Sequence, residues 1–439
     1  MTRPLAPLAL AAIFASPLAA ENRIDGQLPD APELAAYGPF EVGVTTLDLL
    51  DEGRVDILAL SNDEAKPDPL PTYDRPLRVE IWYPAAEGAD GPTTLVANLR
   101  DGKTEVALEG QAHRAAAVAE EGPFPLVIIS HGYPGNRYLM SHLGENIASK
   151  GYVVASIDHT DSTYSDQAAF GSTLVNRSLD QVFVLNALAN LEGEEIGPLI
   201  DADRTAIIGY SMGGYGAIIT AGGGVTAESV AIPWGAPHGT LAIHQSGSDS
   251  HNSLTDPRIK TVVAFAPWGR ELGFWSEDTL AGVSLPVLYV AGSVDDVSGY
   301  EGGVRRMWEE TTGVNRALLT FENANHNAGA PMPAPLEGRE VDEDLGFAPF
   351  EHYADAVWDS VRMNNISQHF VTAWLDLYLK DDSDKVAYLD LIPNANDGVW
   401  DVAEDGTPTN QHSHWEGFPN RTAKGLRFEW LQPGEPEAE

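Results

Sequence analysis

The stretch Thr205-Ala-Ile-Ile-Gly209-Tyr210-Ser211-Met212-Gly213-Gly214 restricts the fold more than any other part of the chain. It reads as an apolar strand that ends in Gly-x-Ser-x-Gly and passes at once into a helix start at Tyr215 to Thr220. A serine at so tight a strand-to-helix turn must take strained backbone angles, and the flanking glycines remove the Cβ atoms that would collide with the turn. The hydroxyl is thereby lifted above the sheet, where the helix N-terminus favours developing negative charge. The pentapeptide alone is weak evidence, and a glycine-rich turn used only for close strand–helix packing is the alternative. The strand–turn–helix setting favours a nucleophile.

The rest of the chain supplies the sheet this turn requires. Short apolar runs at Leu126 to Ile129, Tyr152 to Ile157, Ala206 to Ile208, Thr261 to Phe265, Val287 to Val290 and Ala317 to Phe321 alternate with helix-length segments such as Ser141 to Lys150 and Leu179 to Leu191. Continuous apolar runs of that length predict parallel strands buried on both faces, and the alternation predicts an α/β layer architecture. Val44 to Leu50 and the alternating Leu77, Val79, Ile81 and Tyr83 predict antiparallel edge strands. Ile366, Phe370, Ala373 and Leu377 form one stripe of a helix that packs on the sheet. Two segments break the pattern, one near 222–257 rich in Gly, Ser and His, the other near 329–350 rich in Pro, Glu and Asp. They read as insertions over the catalytic edge of one domain spanning 21–439. From about residue 389 an acidic tail, anchored by Trp400, Trp415 and Trp430, wraps that domain, and there is no internal repeat.

Composition narrows the function classes. With no cysteine, disulfide and thiolate chemistry are absent. The 65 acidic against 26 basic side chains give a formal charge of −39, which repels phosphate backbones and anionic lipid head groups, so nucleic-acid partners are not expected. Residues 1–20 carry Arg3, an apolar run from Leu8 to Phe14 and small residues up to Ala20, the order of a removable export signal. The run is too short to span a bilayer. The expectation is an exported protein, periplasmic or extracellular, with no membrane span in its mature chain.

A serine hydroxyl is a poor nucleophile until a base takes its proton, so Ser211 demands a histidine and a carboxylate to orient it. Leu288-Tyr-Val-Ala-Gly292-Ser-Val-Asp295-Asp296 places a carboxylate just after one apolar run, and Leu318-Leu-Thr-Phe-Glu-Asn-Ala-Asn-His326 places a histidine just after the next. The order serine, acid, histidine is that of the α/β-hydrolase arrangement. Asp295 is favoured over Asp296, a choice that only geometry settles. Of the other histidines, His238, His244, His251, His412 and His414 read as surface residues, and His352 and His369 as structural ones; no metal-ligand spacing accompanies them. The tetrahedral oxyanion needs backbone donors. Met212 supplies one, and Ser130-His131-Gly132-Tyr133-Pro134-Gly135 a second, assigned to the Tyr133 amide, with His131 shaping the loop. Trp234, Trp268, Phe274 and Trp275 read as an apolar acyl or alcohol pocket or as ordinary core.

With these residues in view, the chain resembles the platelet-activating-factor acetylhydrolase and dienelactone-hydrolase-like branch of the α/β-hydrolases. The resemblance rests on Arg75-Pro76-Leu77 with Trp82-Tyr83-Pro84; Ser130-His131-Gly132 with Arg137, Ser141 and Ala148-Ser149-Lys150-Gly151-Tyr152-Val153-Val154; His159-x-Asp161; and Gly209-Tyr210-Ser211-Met212-Gly213-Gly214. It runs from about residue 70 to 380. It implies a serine esterase for short acyl groups that uses no cofactor, calcium or other metal, with Ser211 and His326 in catalytic positions and Tyr133 and Met212 around the oxyanion. Dienelactone hydrolases proper use a cysteine nucleophile, which this chain lacks. Phe265-Ala266-Pro267-Trp268 offers no carboxylate where some acetylhydrolases place the acid, which supports Asp295 or Asp296. The expected function is hydrolysis of carboxylic esters with short acyl or small alkyl groups through an acyl-enzyme. A phospholipase- or polyester-type hydrolase using the same residues on a lipid-like or aggregated ester is the alternative, and a non-catalytic binding protein of the same fold a further one.

Overall fold

The computed structural model describes residues 22–88 and 91–435, so the expected export signal lies outside the described residues. Nine strands form the body of one sheet: β1 Glu41–Val55, β2 Thr72–Ala85, β3 Phe124–Ser130, β4 Val153–Asp158, β5 Ile200–Tyr210, β6 Ile259–Phe265, β7 Val287–Gly292, β8 Arg316–Phe321 and β9 Leu426–Leu431. Their spatial order is β1-β2-β4-β3-β5-β6-β7-β8-β9, with the two-residue strand His113–Arg114 beyond β1. Strands β3 to β8 run parallel. β2 is antiparallel to β4, β1 to β2, and β9 to β8. The early antiparallel strands and the parallel core follow the sequence expectation; β9, drawn from the acidic tail, does not.

The apolar runs divide between two cores. Val127, Ile129, Val154 and Ile208 face one layer, which holds helices α1 (Ser141–Ala148) and α4 (Ser360–Leu379). Leu126, Ile128, Val153 and Ile207 face the other, which holds α2 (Phe170–Ala189) and α3 (Met212–Thr220). Alternate residues of one strand thus enter opposite layers, which is why these strands read as unbroken apolar runs. Helix α2 begins well before Leu179, at Phe170, and Ser172, Thr173, Asn176, Arg177 and Ser178 of its first turns are buried polar residues that blur its apolar pattern in the sequence. On α4, Ile366, Phe370 and Ala373 are fully buried, and the Trp374 indole donates to Thr261 Oγ1 on β6 at 2.7 Å.

The irregular segments differ from their sequence reading. Residues 222–257 form short helical pieces around Pro237–His244, packed against α2. His244 and His251 are buried there, not on the surface: their Nε2 atoms lie 2.7 Å from the Val175 carbonyl and 3.1 Å from that of Gly222. His414 is likewise buried, with Nε2 3.1 Å from the Pro419 carbonyl. Polar loops with no apolar pattern still enclose such rings when backbone carbonyls accept from them. In the tail Trp415 is buried and Trp430 half-buried on β9, but Trp400 is 41% exposed and meets the rings of His412 and His414 edge-on.

Phe370 of α4 lies stacked on Phe428 of β9, ring centroids 4.8 Å apart, which adds a side-chain tie between the tail and the body. Truncating a fully buried aromatic removes its burial and leaves a cavity. Phe370→Ala is expected to cost about 3–5 kcal/mol, measured as a drop in the urea midpoint of unfolding.

Candidate active site

The polypeptide reverses from β5 into α3 at Ser211, whose φ of 54° and ψ of −112° lie where non-glycine residues are rarely found. Its neighbours explain how that conformation is held. A Cβ on Gly213 would sit 1.8 Å from the Ser130 carbonyl oxygen, and one on Gly209 would sit 2.2 Å from that of Gly213. Only glycine permits these approaches. The Ser211 amide donates to the Phe265 carbonyl at 2.8 Å, while the Ser211 carbonyl accepts from the amides of Tyr215 and Trp268.

Three strand ends converge on this turn. His326 Nε2 lies 3.0 Å from Ser211 Oγ, and its Nδ1 lies 3.0 and 3.1 Å from the two carboxylate oxygens of Asp295. A carboxylate can only accept, so Nδ1 carries the hydrogen and Nε2 is left as the acceptor for the serine hydroxyl. Asp295 Oδ1 also accepts from the Val297 and Ser298 amides, both at 2.9 Å, and Ser298 Oγ donates to the Ala266 carbonyl at 2.7 Å. Burial raises the affinity of Asp295 for a proton, but the His326 hydrogen bond and these amides outweigh it and hold the carboxyl below its ordinary value. Asp296 points to solvent at the cavity rim and makes no contact with the imidazole. Geometry thus brings Ser211, Asp295 and His326 together and leaves Asp296 out.

A cavity of about 700 Å³ opens on Ser211 and His326. Gly132, Tyr133 and Tyr210 form part of its wall, with the Tyr210 ring 5.2 Å from that of His326. The first-turn amide of Met212 has no intrahelical partner, and neither it nor the Tyr133 amide meets an acceptor among the described residues. The opposite wall comes from 347–355, including Phe347, Phe350, His352 and Asp355, so only the second of the two insertions reaches the cavity. Asn327 fastens this wall: its amide nitrogen donates to the Glu351 and Ala354 carbonyls, and its oxygen accepts from Tyr210 Oη. His352, read as purely structural, therefore faces the cavity; burial pulls its pKa down to about 3, so it is neutral.

Of the two readings of the aromatic group, a substrate pocket or ordinary core, the first does not hold at this cavity. Trp234, Trp268, Phe274 and Trp275 do not border this cavity. Trp268, Phe274 and Trp234 form a cluster with Phe170 and Tyr215, while the Trp275 indole donates to the Gly223 carbonyl. Phe274 and Trp275 are buried packing residues and Trp268 is half-buried against them, while Trp234 lies exposed at the edge of the cluster.

Sequence reasoning missed a buried polar chain beneath the loop that follows β3. Ser130 Oγ lies 2.8 Å from His159 Nε2, and His159 Nδ1 lies 2.9 Å from Asp180 Oδ2. Asp180 also pairs with Arg75 and Arg54, and Arg75 with Asp161. Burial, with Arg177 nearby, lowers the His159 pKa to about 3, so its contact with Asp180 is a hydrogen bond from a neutral imidazole. Burial pushes the Asp180 carboxyl up, but Arg75, His159 and Arg54 prevail and hold it well below the ordinary range. His159-x-Asp161 and Arg75 stood in the sequence as fragments of the resemblance; nothing there joined them to Asp180.

Known proteins match the same region. A family model described as PETase: PET hydrolase-like covers residues 110–245. Cutinase 2 of Thermobifida cellulosilytica is 25% identical over 240 residues, which span 53% of this chain and 74% of that protein. Cutinase est2 of Thermobifida alba is 32% identical over the same share of the chain and 64% of its own length. The platelet-activating factor acetylhydrolase of Cavia porcellus is 28% identical over 163 residues, 36% of each chain. A ferulic acid esterase from Streptomyces cinnamoneus superposes with a TM-score of 0.52 at 22% identity, covering 80% of this chain and 94% of that one, a likeness of fold.

Asp180→Asn keeps the shape of the buried chain but removes the charge that Arg75 and Arg54 face. The folded carboxyl titrates below the unfolded one, so its stabilisation is complete above the unfolded value near pH 4 and is lost as the pH falls through the folded value. We expect the variant to be less stable at neutral pH by about 3–5 kcal/mol. The gap to the wild type should narrow below about pH 4, a comparison made by urea unfolding at both acidities. From sheet order, turn and relatives together, the chain has the fold of the α/β-hydrolase superfamily, resembles the cutinases and, over a third of its length, a platelet-activating factor acetylhydrolase, and is a carboxylic ester hydrolase.

Proposed function

We propose that the protein hydrolyses esters of short acyl or small alkyl type through an acyl-enzyme on Ser211. The observation that carries this reading is the hydrogen-bonded series from Ser211 Oγ through His326 to Asp295 at 3.0–3.1 Å. As Ser211 Oγ attacks the ester carbonyl, its proton passes to His326 Nε2, and the imidazolium is stabilised by Asp295. The carbonyl oxygen becomes an oxyanion that accepts from the Met212 and Tyr133 amides. Collapse breaks the bond to the alcohol, which takes the proton from His326. A water then gives a proton to His326 and attacks the acyl-serine, and the acid leaves as Ser211 recovers its hydrogen.

The exposed Asp296 and Glu351 stand with Arg100 and Asp355 among the residues lining the cavity, beside the exposed Val297, and this charge supports the small-ester reading. The cutinase relatives and the PET hydrolase-like model favour the second reading, a polyester-type substrate held at the same serine. Export by residues 1–20 belongs to this reading and puts the reaction outside the cytoplasm.

Stoichiometric labelling by a fluorophosphonate and a burst with 4-nitrophenyl acetate are expected from the wild type, and neither from Ser211→Ala. Asp295→Asn should lower kcat by about 10⁴-fold, because the imidazole then loses its fixed tautomer. Asp296→Asn should stay within a few-fold of wild type. Equal losses in the two aspartate variants would remove Asp295 from its role. A protein that binds esters but is not labelled and releases no product would leave only the non-catalytic reading.

A further inference from the structure

The peptide joining Gly132 to Tyr133 is trans, since the cis bonds of the described residues lie elsewhere. Its carbonyl and its N–H therefore point in opposite directions. The carbonyl is turned into the protein, where it meets two buried groups. His131 Nδ1 lies 2.7 Å from it, and Arg177 Nη2 donates to it at 3.2 Å while also donating to Ser162 Oγ at 2.6 Å. The N–H is left facing the cavity wall shared by Gly132, Tyr133 and Ser211.

Each donor is itself held in place. The His159 amide donates to His131 Nε2 at 3.2 Å, which makes that nitrogen the acceptor and puts the hydrogen on Nδ1. His131 cannot then serve as a proton acceptor in the reaction. Burial and the nearby Arg177 push its pKa well down, in keeping with a neutral ring. A Cβ on Gly135 would come within 2.5 Å of His131 Nδ1, so that glycine leaves the space in which the ring lies. Gly216 of α3 does the same for the Arg177 stem, 2.6 Å from where its Cβ would be. Arg177 Nε and Nη1, fully buried, find no acceptor among the described residues. An arrangement with unmatched buried donors is costly, and its product is a cation resting on one carbonyl.

We propose that Arg177 and His131 are positioning residues that fix and polarise the Gly132–Tyr133 peptide, so that its N–H is aimed at the substrate oxyanion and donates to it strongly. This rests on the reading that the Tyr133 amide is an oxyanion donor. The physics is that of chained hydrogen bonds in a poorly screened interior: a donor placed on the carbonyl draws electrons from the peptide and strengthens its N–H as a donor. The site then needs no reorganisation when charge develops.

The test compares Arg177→Gln, Arg177→Lys, His131→Leu and His131→Asn with wild type. Asparagine keeps a donor near the place of Nδ1, so His131→Asn should recover much of what His131→Leu loses. Arg177→Gln and His131→Leu should lower kcat for 4-nitrophenyl acetate by about 10- to 100-fold, less than the loss of a whole oxyanion donor, with KM within about two-fold. Affinity for a trifluoromethyl ketone, whose adduct carries the oxyanion, should fall by the same factor, and the infrared carbonyl stretch of the acyl-enzyme should move up. A purely structural role would instead lower the fraction of Ser211 titrated by fluorophosphonate and leave the ketone affinity and carbonyl stretch of the titrated sites unchanged, which overturns the proposal. If Arg177→Gln does not fold, Arg177→Lys and the two His131 variants carry the same comparison. A wild type that fluorophosphonate does not label defeats the Ser211 reading; a labelled wild type matched by all variants defeats the clamp alone.

Discussion

The rest of the molecule is arranged around one strained residue. Ser211 holds its left-handed backbone because the turn on either side of it has no room to relax: Gly213 rests against the Ser130 carbonyl and Gly209 against Gly213. A non-glycine residue in such a conformation costs about 1–3 kcal/mol. Hydrogen bonds to the end of β6, to the loop after it and to the first turn of α3 offset that cost, since the Ser211 amide donates to Phe265 and its carbonyl accepts from Trp268 and Tyr215. The same packing sets the distance between the serine and the loop after β3. Strain at the turn and placement of the loop after β3 are therefore one structural problem, solved by two glycines.

Behind that loop lies charge the protein could not easily hide elsewhere. With 65 acidic side chains, most carboxylates are left to solvent, yet Asp180 and Asp161 are buried against Arg75. Burying ions in this way adds little net stability compared with an apolar core. What it does supply is direction. Arg75, Asp180, His159 and Ser130 form a continuous hydrogen-bonded line that ends at the last residue of β3, and the His159 amide fixes the tautomer of His131 in the next turn. A greasy replacement of equal volume would pack as well and orient nothing.

Much of this was legible in the sequence, and the reasons for the gaps are physical. Strands buried on both faces announce themselves as apolar runs, so β3 to β8 and the strand-end positions of Ser211, Asp295 and His326 could be read directly. The preference for Asp295 over Asp296 matched the geometry, although only the amides of Val297 and Ser298 and the buried side chain explain it. Long-range polar partners leave no periodic trace, so the Arg75–Asp180–His159 line and the Gly132 contact of Arg177 were invisible. Aromatic residues near a nucleophile motif mislead because packing and substrate binding select the same side chains: Trp268 and Phe274 are core, while the less conspicuous Phe347 and Phe350 face the cavity.

The acidic tail is part of the same scaffold, for a reason specific to where His326 sits. Without β9, strand β8 would be the open edge of the sheet, and an edge strand presents unpaired N–H and C=O groups and frays. His326 follows β8 directly, so fraying there would move the imidazole relative to a serine fixed on the rigid interior strand β5. Six residue pairs from Arg316–Leu431 to Phe321–Leu426 close that edge, and the Glu322 amide then donates to the Gly425 carbonyl just before the loop leading to His326. Side chains hold the same corner: Arg305 pairs with Glu429, Arg427 with Glu322, and the Trp358 indole donates to the Glu322 carbonyl. A tail that reads as a charged wrap is thus what turns the strand leading to His326 into an interior one, and the distance from His326 to Ser211 depends on residues a hundred positions beyond the histidine.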